Sequence, residues 1–292
     1  MTPLTMRPLS VGEILDQAFA LYRKHFGSLV LITVTCIGFP LVVFGGLAAL
    51  TLFGTEAPSG STYAVLFLLG VLGYLILSQI AAGASVFVVS EGYLGRTIGP
   101  WTALGRAAPM IVPLIGLAIL TGLVVGMGFL LGLILFFIPG FVLLSGLALG
   151  TPCLVLEGPV GPTEAMNRSW ALTKGYKWRM FGLLIVSWVL IVVAVLGATL
   201  VASIVVSFLV GSPLTDPSAT ETVSASARVG GVLVQIVQLL VNVIISPFPY
   251  CVLTVAYYDL RVRKEGFDLE MLHAAMESAS GRFPVARPQS AG

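Results

Sequence analysis

Charge is what this sequence has least of. Only 10% of its 292 residues are Asp, Glu, Lys or Arg, against about 25% in an ordinary soluble domain. The net charge of +2 is too small to make nucleic acid a partner. Histidine is nearly absent, with His25 and His273 alone, which leaves little for general acid–base work. The three cysteines, Cys36, Cys153 and Cys251, sit singly inside apolar stretches. Without paired spacing they form neither a disulfide framework nor a metal site. There is no Gly-rich phosphate loop ending in Lys-Ser or Lys-Thr, and no nucleophile elbow. Hydrolysis of a phosphodiester with metal help needs clustered carboxylates and a general acid or base. This inventory supplies none, so neither an enzyme nor a cofactor is expected. A secretory signal is excluded too, because the first apolar run starts only near residue 29 and is far too long.

What the sequence has is apolar residues, at 57%. One globule of this size cannot hide that much apolar surface, so its main solvent must be lipid. Five stretches carry no charge: 25–55, 57–90, 107–156, 180–215 and 229–258. A crossing helix needs about 20 residues, so four stretches fit one helix each and the middle one fits two. Ile138-Pro139-Gly140 is a turn signal inside it. Folding it there into a hairpin gives six spans. Basic residues favour the cytoplasmic side, and six spans place fourteen of the fifteen there, leaving only Arg228 outside. Five spans would divide them nearly evenly. The expected architecture is therefore all-α: a polytopic bundle of six transmembrane helices in three hairpins. Both termini lie in the cytoplasm, and short interfacial helices run along the inner face. The divisions are a cytoplasmic segment 1–28, a membrane domain 29–258 and a tail 259–292.

The inner segments resemble one another. EGYLG followed by PWTALGRA, at 91–95 and 100–107, matches EGPVG followed by PTEAMNRS, at 157–161 and 162–169. In this register Glu91, Gly92, Gly95, Pro100, Ala103 and Arg106 correspond to Glu157, Gly158, Gly161, Pro162, Ala165 and Arg168. The sixth span also ends in an acid, Asp259. Near the N-terminus, Ser10-Val11-Gly12-Glu13 reads as a capping box. Behind it Val11, Ile14, Leu15, Ala18, Phe19 and Tyr22 recur at helical spacing. Each span pair thus follows a short helix, which predicts three copies of one unit.

The run RPLSVGEILDQAFALYRKHFGSL resembles the opening of the glycerophosphoryl diester phosphodiesterase membrane-domain family and its stand-alone bacterial relatives. IPGFVLLSGLALGTPCLVLEGPVGPTEAMNRSWALTKGYKWR and SPFPYCVLTVAYYDLRVRKEGFDLE resemble two further signatures of that family. The resemblance spans residues 7 to 272 and implies a bacterial cytoplasmic membrane and a lipid setting. In some relatives a soluble phosphodiesterase barrel follows and does the chemistry; here about 34 residues follow the last span, so no activity is carried over.

Three sets of residues are candidates for function. Glu91, Glu157 and Asp259 close the even-numbered spans, with Arg106 and Arg168 arriving in the next short helix. They are either salt bridges between hairpins or a charged vestibule for a head group or partner. Gln235, Gln238, Asn242 and Ser246 fall on one face of the last span, and Arg228 continues it. Polar groups facing lipid are costly, so this face is expected to look into the bundle. It serves either interhelical hydrogen bonding or a polar path. Pro247 and Pro249 should break the helix just below and free backbone carbonyls. The basic clusters at 168–179 and 261–264 attract anionic lipid or anchor the topology. Gly122/Gly126, Gly128/Gly132 and Gly146/Gly150, each four apart, predict close helix packing. A short helix carrying Leu269, Leu272 and Met276 and a disordered end are expected in the tail. The functional expectation is a scaffold or accessory subunit at the inner leaflet, with membrane lipids and a membrane protein as partners. The alternative is a carrier or channel for a small or amphiphilic solute.

Overall fold

A computed structural model describes residues 8–53, 59–133, 137–158, 161–210 and 220–266. All regular structure in the described residues is helical. Helix α1 (Val11–Lys24) begins at the expected box: the Glu13 amide donates to Ser10 Oγ at 3.3 Å, and the Ser10 amide donates to Glu13 Oε2 at 2.7 Å. Its Ile14, Ala18 and Tyr22 are buried. Helix α2 (Phe26–Phe53) follows after one residue, and α3 (Gly60–Tyr93) packs along it. Helix α4 (Pro100–Ala107) runs through a single 3-10 turn into α5 (Ile111–Gly132). Then come α6 (Ile138–Leu147), α7 (Gly150–Leu156), α8 (Pro162–Thr173), α9 (Lys177–Val210), α10 (Thr220–Ile245) and α11 (Phe248–Glu265). Helix α5 packs on α6, and α9 on α10.

Among the described residues five helical stretches are long and apolar enough to cross a membrane: Gly60–Tyr93, Pro100–Gly132, Ile138–Leu156, Lys177–Phe208 and Gly230–Glu265. This makes the chain a helical membrane protein. Phe26–Gly38 adds a shorter apolar stretch.

The reversal after α5 is not at Pro139-Gly140, as its composition suggests. It falls just before, where Phe137 takes a left-handed φ of 60° and caps α6. Pro139 sits in the first turn of α6, where its missing amide costs nothing. Gly140 is there for contact. A Cβ on it would lie 2.5 Å from the Phe129 ring, and one on Gly128 would lie 2.4 Å from Leu143. Gly132 and Gly146 are equally constrained, the latter by Trp170 at 2.4 Å, and Gly150 meets Leu117 at 3.3 Å. Gly122 and Gly126 depart from the expectation, because nothing lies within 4 Å of a Cβ at either. They stand on the open side of α5, beside the exposed Ile119 and Leu123.

Two stretches are broken where proline removes an amide. Pro247 separates α10 from α11, as expected; its missing amide would have faced the Val243 carbonyl, which takes Ser246 Oγ at 3.5 Å, and at the same break the Ile244 carbonyl accepts the Tyr22 hydroxyl at 2.6 Å. Pro152 has the same effect between α6 and α7. There the Gly146 carbonyl accepts Ser169 Oγ at 2.8 Å and Thr173 Oγ1 at 3.1 Å, and the Leu149 amide turns to Ser169 Oγ at 3.2 Å. In each case a hydroxyl from another helix satisfies a carbonyl at the break, as a backbone group away from water requires. Burial pushes the Tyr22 hydroxyl up to about 12, with Cys251 adding to it, so Tyr22 stays a donor.

The core gathers at one end. The C-terminal third of α3, with Val86, Val88 and Val89, meets Leu149 at the start of α7, Leu154 within it, and Val255, Tyr257 and Leu260 of α11. Around these three lie α1, α4 and α8, each fully burying one side chain in its first turns: Ile14, Ala103 and Ala165. The other ends of α3, α5, α9 and α10 expose Leu, Ile, Val and Phe almost throughout.

Candidate functional site

The charged residues meet at the end that holds the core. Glu91, in the last turn of α3, receives Arg106 Nη1 of α4 at 3.1 Å. Glu157, directly after α7, receives Arg168 Nε of α8 at 2.7 and 2.9 Å. These pairings are the expected ones, and the local geometry behind them is alike. Gly95 and Gly158 take positive φ of 78° and 97°. Gly99 and Gly161 cap the next helix in extended conformation, and Pro100 and Pro162 open it. The register is shifted from the one read in the sequence: Gly95 stands with Gly158 and Gly99 with Gly161. Counting the pairs by Glu91 and Glu157 alone hides this, because α3 runs on two residues past Glu91 while α7 stops at Leu156.

Asp259 behaves differently. It is only 1% exposed. Among the described residues it takes Arg179 Nη1 of α9 at 2.6 Å and Arg263 Nε of α11 at 3.0 Å, and its Oδ1 accepts the Leu9 amide at 2.7 Å. Arg263 and Arg179 also both donate to the Leu9 carbonyl. The start of α1 is therefore clamped onto α11, 250 residues away in sequence. Gln17 is the sixth residue after the first of α1, the place that Arg106 and Arg168 hold in α4 and α8. Its Oε1 is buried with no hydrogen-bond partner.

A second layer of contacts ties the three helix ends together, and sequence reading missed it. Tyr257 donates to Glu157 Oε1 at 2.9 Å, the Tyr258 hydroxyl lies 2.6 Å from Ser90 Oγ, and Tyr93 stacks on Tyr258 at 4.8 Å. The adjacent Tyr257-Tyr258-Asp259 was the available signal, since two phenols ending an apolar span need polar partners. Arg168 also spans to Glu265 at 2.6 Å. Hydrogen bonding to Glu265, and then to Glu157, outweighs the cost of burial and holds its guanidinium more firmly protonated. Arg261 in turn holds the other oxygen of Glu265 at 3.0 Å. Charge-assisted pairs of this kind are the strong ones.

The polar stripe is placed differently from the expectation. Gln235 and Asn242 are exposed, and Gln238 and Ser246 are half-buried. Asn242 Nδ2 donates to the Gln238 carbonyl at 3.2 Å and Ser246 Oγ to the Val243 carbonyl at 3.5 Å, both within α10. The Arg228 side chain lies outside the described residues. The reason is the packing of α10, which touches α9 and α2 along two narrow seams. At about 100° per residue, Gly231, Gln235 and Asn242 form one exposed face. Leu233, Ile236, Leu240 and Ile244 form another, roughly opposite and wholly apolar.

His25 sits at the end of α1 with its imidazole against Gly92 of α3; a Cβ on Gly92 would lie 2.5 Å from Nε2. That nitrogen is buried and unpartnered. Burial, and then the Lys24 charge, hold the ring below its ordinary value, so it is neutral. No group of three or more His, Cys, Asp or Glu side chains among the described residues could hold a metal ion. His273, Leu269, Leu272 and Met276 lie outside the described residues. Compared with protein-family models, with curated proteins and with solved structures, the chain matches none.

Proposed function

We propose that this chain is a non-catalytic protein of the bacterial cytoplasmic membrane, with six transmembrane helices and both ends inside. Its charged end acts as a scaffold or accessory subunit at the inner leaflet. Helix α2, 28 residues long, supplies the first span, paired with α3; α5 pairs with α6–α7 and α9 with α10–α11. In this reading the chain is three copies of one unit about a pseudo-threefold axis. Helices α3, α7 and α11 meet at that axis, and α4, α8 and α1 close the ring. Gln17 then marks the copy that has lost its arginine, and Asp259 draws Arg179 and Arg263 in its place. The likeness of the motifs to the glycerophosphoryl diester phosphodiesterase membrane-domain family fits such a lipid-side role.

The observation that carries the proposal is the closure of the charged end. Three acids at three helix ends are each tied to a cation from another helix or turn, over a fully packed core. This makes a rigid face on which lipid or a partner can be organised. The test is extraction in native nanodiscs followed by mass spectrometry. A protein recovered in stoichiometric amount supports the scaffold; its consistent absence from the native membrane sinks it.

A second reading, a carrier for an amphiphilic solute, is favoured by the two exposed faces of α10. Lipid suits the apolar face, and amides in hydrocarbon are costly, so the face with Gln235 and Asn242 would line an opening between the helix pairs. Replacing Gln235, Gln238 and Asn242 by Leu should abolish solute uptake in proteoliposomes and leave assembly intact. Undiminished uptake by the triple variant would rule the path out.

A further inference from the structure

Five arginines at the charged end are closely paired with acids, and three lysines beside them are not. Arg106, Arg168, Arg179, Arg261 and Arg263 each have a carboxylate within 3.1 Å. Lys174, Lys177 and Lys264 have none within 4.0 Å among the described residues. Glu265 adjoins Lys264 and acts on its charge, but its two oxygens are held by Arg168 and Arg261.

These three lysines converge from two parts of the chain. Lys264, on α11, sets its Nζ on the Ala171 carbonyl of α8 at 2.6 Å. Lys177, the first residue of α9, lies with Nζ 3.0 Å from the centre of the Trp170 ring. Lys174 follows α8, and Gly175, at φ 89°, turns the chain so that Lys174 and Lys177 flank one short bend. The Lys174 charge acts on both others. Tyr176 lies among them, its ring 6.0 Å from Lys264 Nζ. Trp178, beside Lys177, is 76% exposed.

Three like charges, one fixed on a carbonyl and one on an aromatic face, with the nearby Glu265 oxygens already held by arginines, favour the arrival of an anion. A lysine is a compact point charge that suits a phosphate. An exposed tryptophan next to such a cluster, at the start of an apolar span, suits the boundary between head groups and hydrocarbon. We propose that Lys174, Lys177 and Lys264, with Trp178 beside them, bind the phosphate group of an anionic phospholipid. The proposal rests on the reading of the charged end as the inner-leaflet face. It does not require that face to hold a protein partner, so the nanodisc result above can fail independently.

The test is native mass spectrometry of the delipidated protein with added phosphatidylglycerol or phosphatidylcholine. The wild type should hold one phosphatidylglycerol at least about tenfold more tightly than phosphatidylcholine. The variant K174Q/K177Q/K264Q should lose that preference, while R23Q/K24Q, which removes two exposed cations at the end of α1, should keep it. Should the triple variant not fold, each single substitution should weaken the preference by itself. Equal binding of both lipids by the wild type overturns the proposal, as does an equal loss in R23Q/K24Q. Displacement of the lipid by millimolar inorganic phosphate would overturn it in favour of a site for free phosphate.

Discussion

Two of the membrane-crossing stretches are built on opposite terms. In Ile138–Leu156, which comprises α6 and α7, 56% of the most apolar window is buried within the chain, and its mean hydropathy is 1.8. In Lys177–Phe208 of α9 the figures are 6% and 3.0. The more apolar helix is the less buried one. In lipid there is no hydrophobic force drawing helices together, because the tails are as apolar as leucine. Apolarity therefore marks contact with lipid, and specificity is left to small and polar residues. Those residues are what the α6–α7 stretch has: Gly140, Ser145, Gly146 and Gly150, all buried.

The contrast can be broken most severely at the buried acid. Asp259→Ala should leave Arg179 and Arg263 without their carboxylate and the Leu9 amide without its acceptor, at a cost of about 3–5 kcal/mol. Size-exclusion profiles in mild detergent should show loss of the folded species, and a wild-type profile would contradict the clamp. Next in size, Gly146→Ala forces a Cβ into the Trp170 ring and should cost about 1–3 kcal/mol. Gly122→Ala on the open side of α5 should change stability by less than about 0.5 kcal/mol. Thermal melts of the two alanine variants side by side sharpen the comparison, and equal shifts would erase it. Tyr22→Phe removes one donor from the Ile244 carbonyl and should cost about 1 kcal/mol, read in the same melts.

A smaller effect is expected from pH. The folded chain binds a proton at His25 less readily than the unfolded chain, since its ring is buried beside Lys24. Stability from this group is therefore complete above the ordinary histidine value of about 6.5 and falls as the pH drops below it. Melting temperatures recorded from neutral pH downwards should decline, and His25→Gln should flatten that part of the curve. A variant as steep as the wild type would place the titration elsewhere.

What could be read from the sequence follows from the same contrast. The apolar stretches, the capping box at Ser10, the break at Pro247 and the pairs Glu91–Arg106 and Glu157–Arg168 are local patterns or near neighbours, and they were legible. The Gly128/Gly132 and Gly122/Gly126 pairs have identical spacing, yet one is pressed against α6 and the other faces outward. Spacing fixes a face but not what covers it. The partners of Asp259 lie at residues 9 and 179, and no periodicity links them. The stripe from Gln235 to Ser246 follows helical spacing, but the inward orientation expected of it is not what Gln235 and Asn242 adopt. Its exposure depends on how narrowly α9 and α2 grip α10, which is a property of the packed bundle. The break at Pro152 was missed because the hydroxyls that compensate it, Ser169 and Thr173, come from another helix.

The clamp between Leu9 and Asp259 also sets an order of events during synthesis. Ribosomes add about 5–20 residues per second, so Leu9 waits roughly 12–50 seconds before its partner 250 positions later is made. Until then α1 has only its contacts with α2, α3 and α9, and Arg179 lacks the Asp259 carboxylate. Joining α1 to α11 is thus a late act of assembly, and a nascent chain stopped short of residue 259 would lack this clamp.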